Sequence, residues 1–145
     1  MLKIREKTNL FLLDTHVWIW LVNGDAKLKS SKVLHLIQEA VSFPEILISV
    51  ISIWEVAMLE VKGRIILPYS CLEWVQRALK APGMVLMPLT PEIAIESTRL
   101  PGLNHADPAD RILIATAKDQ NATLITCDQN ILEYSKKNHF KTISV

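Results

Sequence analysis

Five short apolar runs divide the chain, at residues 10–13, 46–50, 84–89, 123–126 and 142–145. They are rich in branched side chains, and their apolar character is continuous instead of alternating with polar residues. This pattern is typical of strands that are covered on both faces, as in a parallel sheet. We therefore predict five parallel strands.

Between these runs lie stretches whose apolar residues recur with helical spacing. They cover residues 31–41, 53–62, 70–81, 91–100, 108–120 and 129–137. Pro91 and Pro108 stand at the first helical position after Thr90 and Asp107, and Gly63 ends the second stretch. Strands that alternate with helices imply right-handed crossovers. We therefore expect residues 1–145 to form one three-layer α/β/α domain.

The composition narrows the class of protein. With 145 residues, half of them hydrophobic, and a mean hydropathy of +0.23, the chain can fold around a core and is not a disordered chain. Its net charge of +1 provides no general basic field for nucleic acid. Cys71 and Cys127 are too isolated for a disulfide framework or a cysteine-rich zinc site. Because the sequence also lacks a signal-peptide cleavage site and a membrane-spanning run, we expect a cytoplasmic protein.

Acidic residues stand near the ends of the predicted strands. Asp14 directly follows the first strand, Asp128 comes two residues after the fourth, and Glu55 lies one helical turn past the second. Asp107 and Asp110 open the helix before the fourth strand, and a short loop makes that helix antiparallel to the strand. Parallel strands end at one rim, where open α/β sheets bind their ligands. If strands one, two and four are central and strand three is at an edge, these acids meet at that rim.

Each acid also has an explanation as a helix cap. Ser52 and Glu55 have the spacing of a capping box, and the four aspartates occupy predicted N-cap or first-turn positions. However, Ser30, Ser70 and Thr90 cap the other predicted helices without carboxylates. Carboxylates within about 6 Å of one another repel unless they are protonated or bridged by cations. An all-oxygen set of this kind favours Mg²⁺ or Mn²⁺ and suits in-line hydrolysis of phosphodiesters.

Six short motifs occur in order between residues 10 and 145. They read LLDTH (12–16), SVISIWEV (49–56), GRIILP (63–68), LTPEIA (89–94), LPGLNHADPADR (100–111) and LITCD (124–128). Each motif alone is weak, but their order and spacing are specific. Over nearly its whole length the chain resembles the PIN-domain ribonucleases, and within them the VapC-type toxins of toxin–antitoxin pairs.

The resemblance implies the strand order 3-2-1-4-5 and an Mg²⁺- or Mn²⁺-dependent endoribonuclease. It assigns the catalytic metal ligands to Asp14, Glu55, Asp110 and Asp128. Asp107 is an additional nearby acid in this subgroup, and Thr126 corresponds to the usual hydroxyl beside the site. Thr15 follows the first acid as expected. Ala109 stands where the family commonly has a bulky residue, which alters the wall that faces the substrate.

The resemblance also implies partners. These are the RNA substrate, a small antitoxin protein with a segment that covers the acidic pocket, and a second copy of the chain in a homodimer. One alternative is a PIN nuclease that processes RNA without toxicity. Another is a non-catalytic PIN module that serves as a binding scaffold, although a scaffold has no physical reason to keep a repulsive acid cluster.

Other residues have both a functional and a structural interpretation. Arg111 can contact an RNA phosphate or pair with the carboxylates. His105 can position the scissile phosphate, but a loop histidine more often bonds the backbone. Trp18, Trp20 and Trp54 can stack on RNA bases. Since Trp18 and Trp20 are two apart on a helix, they cannot share one face, and we expect at least one of them in the core or an interface. With residues 54–59, the same tryptophans also predict an exposed apolar face for a dimer or an antitoxin.

Overall fold

The computed structural model describes residues 10–29, 32–40, 46–103 and 106–145. Along the chain its elements are β1 (Phe11–Leu13), α1 (Thr15–Asn23), α2 (Ala26–Lys29), α3 (Lys32–Ala40), β2 (Ile46–Ser49), α4 (Val50–Val61), α5 (Cys71–Leu79), β3 (Met84–Met87), α6 (Pro91–Ser97), α7 (Pro108–Gln120), β4 (Thr123–Thr126), α8 (Gln129–Asn138) and β5 (Thr142–Ser144).

In the described part of the chain, the strands form one parallel sheet in the order β3-β2-β1-β4-β5. The central strand β1 pairs with β2 and β4, so that Phe11 lies opposite both Ile46 and Thr123. The predicted α/β class, the strand order and the edge position of the third strand are confirmed. All strands therefore end at one rim, and the acids that follow them are carried there.

Two hydrophobic cores cover the two faces of the sheet. Alternate side chains of a strand point to opposite faces, and β1 supplies Phe11 and Leu13 to one core and Leu12 to the other. Trp18 and Trp74 lie in the first core. Leu113, Leu124 and Ile131 lie in the second. The sheet is thus the middle of three layers, which explains why its strands are continuously apolar.

Helix α4 begins three residues earlier than the sequence predicts. The β2 strand ends at Ser49, whose hydroxyl accepts a hydrogen bond from the Ile51 N–H at 3.1 Å and caps the helix. The predicted capping box of Ser52 and Glu55 is therefore wrong. The apolar run 46–50 continues from the strand into the first turn of the helix, so hydrophobicity alone does not mark the boundary.

Other helix boundaries follow local signals. Ser70 and Thr90 cap α5 and α6 as predicted, with side chains that accept from the N–H groups of Glu73 and Ile93. The predicted helix over residues 91–100 ends earlier, at Ser97, since Pro101 disfavours helical backbone in the residue before it. The predicted cap Ser30 lies outside the described residues.

The tryptophans have different environments. Trp18 is fully buried and packs edge-on against Trp74, with 5.0 Å between ring centroids. Its predicted place on an exposed apolar face is therefore wrong, and the prediction that one of Trp18 and Trp20 lies in the core is confirmed. Trp20 is half-buried beneath the Lys27 ammonium, whereas Trp54 is 57% exposed. In the part of the chain that the structure describes, no helix has the length and apolar character needed to cross a membrane.

Candidate active site

Asp14 lies where β1 ends and α1 begins. Its N–H still pairs with the Ile125 carbonyl of β4 at 2.9 Å, and its carboxylate caps the helix. Oδ1 accepts from the Thr15 N–H at 2.7 Å and Oδ2 from the Thr126 hydroxyl at 2.6 Å. Burial raises the pKa of Asp14, and these two hydrogen bonds oppose the increase. The site thus contains a buried carboxylate held by two donors.

Glu55 comes to the same rim from the second turn of α4. The Thr15 hydroxyl donates to Glu55 Oε1 at 2.5 Å and lies 2.9 Å from the Ser52 hydroxyl. Burial raises the pKa of Glu55, the hydrogen bond from Thr15 lowers it, and the charge of Asp14 raises it further. Thr15 is therefore the residue that connects the first strand end to α4.

Thr126, the last residue of β4, connects two of the acids. Its hydroxyl donates to Asp14 Oδ2 and accepts the Asp128 N–H at 3.0 Å. Asp128 then caps α8, with Oδ1 accepting from the Ile131 N–H at 3.1 Å. One hydroxyl thus fixes both the buried carboxylate and the backbone of the loop that carries the next acid.

The first turn of α7 brings two further acids. Asp107 is the N-cap and accepts from the Ala109 N–H at 2.8 Å, and Asp110 follows in the first turn. Among the described residues, no donor forms a hydrogen bond with the half-buried Asp110 carboxylate. Burial raises the pKa of Asp110 to about 7, with repulsion from the other acids adding to the increase. The acids that repel it are Asp14, Asp128, Asp107 and Glu55.

The carboxylate oxygens of these acids are the type of ligand that a hard divalent cation prefers. Within the described residues, however, they are not already arranged around a common point. Every candidate ligand is a carboxylate, and Asp110 experiences repulsion that a cation would relieve. In the described ranges, however, no three acidic, histidine or cysteine side chains are arranged as a ready metal-binding group. An ion would therefore have to draw the side chains together, and Asp110, which has no hydrogen bond to any residue that the structure describes, is the freest to turn.

Two of the other predicted residues have different outcomes. The Arg111 Nε donates to the Ala106 carbonyl at 3.2 Å, and among the described residues Arg111 forms no salt bridge with a carboxylate. His105 lies outside the described residues. The sequence did not identify the contact of Ser52 with Thr15. A signal was available, because Ser52 is a polar residue one turn before Val56 on the buried face of α4.

The fold and the site define a class of protein: a three-layer α/β domain with a cluster of carboxylates at the carboxyl rim of its parallel sheet. Residues 11–137 match the sequence model of the PIN domain. Ribonuclease VapC22 of Mycobacterium tuberculosis is 32% identical over 120 residues, which are 83% of this chain and 88% of the relative. The chain therefore belongs to the PIN domain family.

Solved structures agree on the fold. DNA-bound VapBC from Salmonella typhimurium superposes with a TM-score of 0.67 at 16% identity, over 94% of this chain and 98% of that one. VapBC2 from Rickettsia felis, bound to a DNA fragment from its promoter, gives 0.63 at 13% identity, over 93% and 98%. A toxin–antitoxin complex from Klebsiella pneumoniae gives 0.53 at 24% identity, over 81% and 85%.

Proposed function

We propose that this protein is the endoribonuclease toxin of a toxin–antitoxin pair and that it hydrolyses RNA phosphodiesters at the carboxylate cluster. The observation that carries the proposal is the environment of Asp110, where four other acids act on one carboxylate that has no hydrogen bond in the described structure. Purely structural caps do not require this concentration of negative charge. The name of the relative, a ribonuclease, supports the choice of RNA as substrate.

The four acids proposed to hold the cation are Asp14, Glu55, Asp110 and Asp128. PIN-domain nucleases use a divalent metal, and oxygen-only ligands favour Mg²⁺, with Mn²⁺ as a substitute. When bound, such an ion activates water and stabilises the charge that develops on the phosphodiester. Asp107 serves mainly as the cap of α7 and adds negative charge beside the site.

The chain's own residues hold and orient these acids. Thr126 fixes Asp14 and the Asp128 backbone, and Thr15 fixes Glu55. The helices α1, α7 and α8 begin at this rim, and the positive ends of their dipoles favour an anionic phosphate there. The protein therefore contributes positioning of ligands and a local field that compensates part of the negative charge of the acids.

The proposed partner is a small antitoxin with a segment that covers the acidic pocket. The Klebsiella pneumoniae relative was solved as a toxin–antitoxin complex, which supports this choice. A second copy of this chain in a homodimer is proposed as well. Exposed apolar side chains on α4, among them Val50 and Val61, supply surface that such partners can cover.

The test is cleavage of a single-stranded RNA by the purified protein in Mg²⁺, in Mn²⁺ and in EDTA. We expect cleavage with either ion and none in EDTA, and products with a 5′-phosphate and a 3′-hydroxyl. Asp110→Asn should be inactive, whereas Asp119→Asn, which changes an exposed acid of the same helix, should cleave like the wild type. Cleavage that continues in EDTA overturns the metal mechanism, and RNA binding without cleavage in either ion favours the scaffold alternative.

A further inference from the structure

A groove runs along α4 beside the acids and has a volume of about 560 Å³. Glu55 and Asp107 line it together with side chains that the catalytic proposal does not use, among them Trp54, Met58, Lys62 and Arg64. Because two of the clustered acids belong to its wall, the groove is continuous with the proposed site of cleavage. Anything bound in it lies directly beside the scissile phosphate.

One face of α4 forms a long wall of this groove. Its lining residues recur at three- and four-residue intervals, which places them on one side of a helix. They are Ile51, Trp54, Glu55, Met58, Leu59 and Lys62. The adjoining face of the helix carries Ser52 and Val56 into the interior. The groove-facing residues of α4 therefore form one continuous wall and are not scattered over the helix surface.

Trp54 provides an unusual surface in this groove. Its side chain is 57% exposed, whereas Trp18 and Trp74 are buried and Trp20 is half-buried against the core. An exposed indole is a platform on which a nucleic-acid base of any sequence can stack. No ring contact of Trp54 with another described side chain competes for its face.

Two cations line the groove beyond the indole. Lys62 lies seven residues after Glu55, about 10 Å along a helix axis, and Arg64 follows Gly63 in the turn that leaves α4. Both side chains are exposed, and among the described residues neither forms a salt bridge. Arg77, in contrast, pairs with Glu73. The free charges of Lys62 and Arg64 are available to an anionic ligand.

We propose that this groove binds a single-stranded segment of the RNA substrate next to the scissile phosphate, with a base stacked on Trp54 and a neighbouring phosphate on Lys62 and Arg64. The inference rests on the proposed function. Charge distinguishes RNA from an apolar protein segment here, because the groove combines an exposed indole with two cations that form no salt bridge within the described ranges, and it opens onto the proposed phosphodiester site. A protein segment in the groove is the competing outcome of the test.

Binding of a fluorescein-labelled single-stranded oligoribonucleotide, measured in EDTA at low salt, tests the stacking contact without any cleavage. Trp54→Ala should weaken binding by about 5- to 150-fold, and Trp54→Phe should retain most of the affinity because a ring remains. Leu72→Ala removes another exposed apolar side chain, on α5, and should leave the affinity unchanged. RNA should also protect the exposed indole of the wild type from acrylamide quenching.

The salt dependence tests the phosphate contact. For single strands each neutralised phosphate contributes about 0.7 to the slope of log Kd against log salt. Because Lys62 and Arg64 are proposed to hold one phosphate together, the double variant Lys62→Gln, Arg64→Gln should lower the slope by about 0.7. The double variant Lys136→Gln, Lys137→Gln removes the same charge from exposed positions on α8 and should leave the slope unchanged.

The outcomes separate this inference from the proposed function. If the wild type cleaves RNA with a divalent ion but Trp54→Ala and the Lys62/Arg64 variant bind RNA and cleave it with unchanged Kd and KM, the groove inference is overturned and the nuclease stands. If these variants lose binding in EDTA but the wild type never cleaves, the groove inference stands and the nuclease falls. Protection of Trp54 by a co-purified protein segment, with none by RNA, also overturns the groove inference.

Discussion

The pKa of Asp110 is raised strongly by its surroundings in the site. Burial, followed by repulsion from four acids, raises its pKa from 3.8 to about 7. Between these values the folded protein binds a proton that the unfolded chain releases, so the free energy of unfolding of the metal-free protein falls as pH rises. Below pH 4 the Asp110 carboxyl is protonated in both the folded and the unfolded state, so it no longer lowers the free energy of unfolding.

We therefore expect Asp110→Asn to be at least as stable as the wild type in EDTA at pH 8, with little difference near pH 4. Urea unfolding across this range measures both. Because Asp14 and Glu55 also have raised pKa values, the variant should reduce the pH slope without abolishing it. Asp119→Asn should keep the wild-type slope. An Asp110→Asn protein that is less stable than the wild type at pH 8 would show that Asp110 acts as a stabilising first-turn acid.

Thr126 is expected to be important for stability as well as for the site. Replacing it by Val leaves the buried Asp14 carboxylate without one donor and the Asp128 N–H without its acceptor. Leaving buried polar groups without their partners should lower the free energy of unfolding by about 1–3 kcal/mol. The cost should be larger at pH 8 than at pH 4, since this hydrogen bond lowers the pKa of Asp14. Urea unfolding of Thr126→Val and Thr126→Ser checks this, and Ser should retain most of the stability.

The acids could be assigned to the rim from the sequence, and the resemblance implied Thr15 and Thr126 beside them, but the hydrogen bonds of these two hydroxyls could not be predicted. Asp14 and Asp128 could be assigned to the rim because each follows an apolar run, and parallel strands end together. The contact of Thr15 with Glu55 joins residues 40 positions apart. It depends on how α1 packs beside α4, which local sequence does not encode. The Arg111 side chain makes a local contact instead of the predicted pairing with the acids, since its Nε donates to the Ala106 carbonyl. Its contact with an RNA phosphate stays a prediction.

Helices α1 and α8 are capped by Asp14 and Asp128, which are also proposed metal ligands, so capping and proposed metal binding use the same side chains there. Asp128 separates the two roles, because Asn is as good an N-cap as Asp but a weaker metal ligand. Asp128→Asn should keep its melting temperature in EDTA and lose cleavage. Asp128→Ala should lose cleavage and also about 0.5–2 kcal/mol of stability.

A cap outside the site provides the control for this pair. Ser70 caps α5, so Ser70→Ala should lower stability by a similar amount and leave cleavage unchanged. Thermal melts and the RNA cleavage rate of the three variants give the comparison. Wild-type cleavage by Asp128→Asn would remove Asp128 from the metal site and leave it only a cap.

The ends of helices and strands were predictable where a capping residue, a proline or a residue in the left-handed conformation marks them. Helix α7 over Pro108–Gln120 and strand β4 over Thr123–Thr126 have the predicted bounds, since a capping aspartate and a proline start the helix and Asn121 in a left-handed conformation ends it. The predicted start of α4 was wrong because the apolar run of β2 continues into the helix. Two serines at residues 49 and 52 compete there as caps, and only the backbone distinguishes them.

In the molecule as a whole, catalysis and partner binding are expected to be separable. Expression of the wild-type protein should arrest growth, and co-expression of the antitoxin should restore it. Asp110→Asn should not arrest growth but should still co-purify with the antitoxin, because one substituted carboxylate leaves the exposed apolar surface of α4 intact. Growth arrest by a folded Asp110→Asn protein would show that toxicity does not depend on the carboxylate cluster.

The proposal that the acids form one metal site is tested by a titration of Mg²⁺ or Mn²⁺ followed through the melting temperature at pH 8. An ion that binds only the folded state stabilises the wild type by about 2.7 kcal/mol at 100 times its Kd, and Asp110→Asn should gain less. Leu12→Ala, in the core, should lose about 2–5 kcal/mol with or without metal. If the melting temperature of the wild type does not respond to either ion and Asp110→Asn lowers it in EDTA, the acids are helix caps and not a metal site.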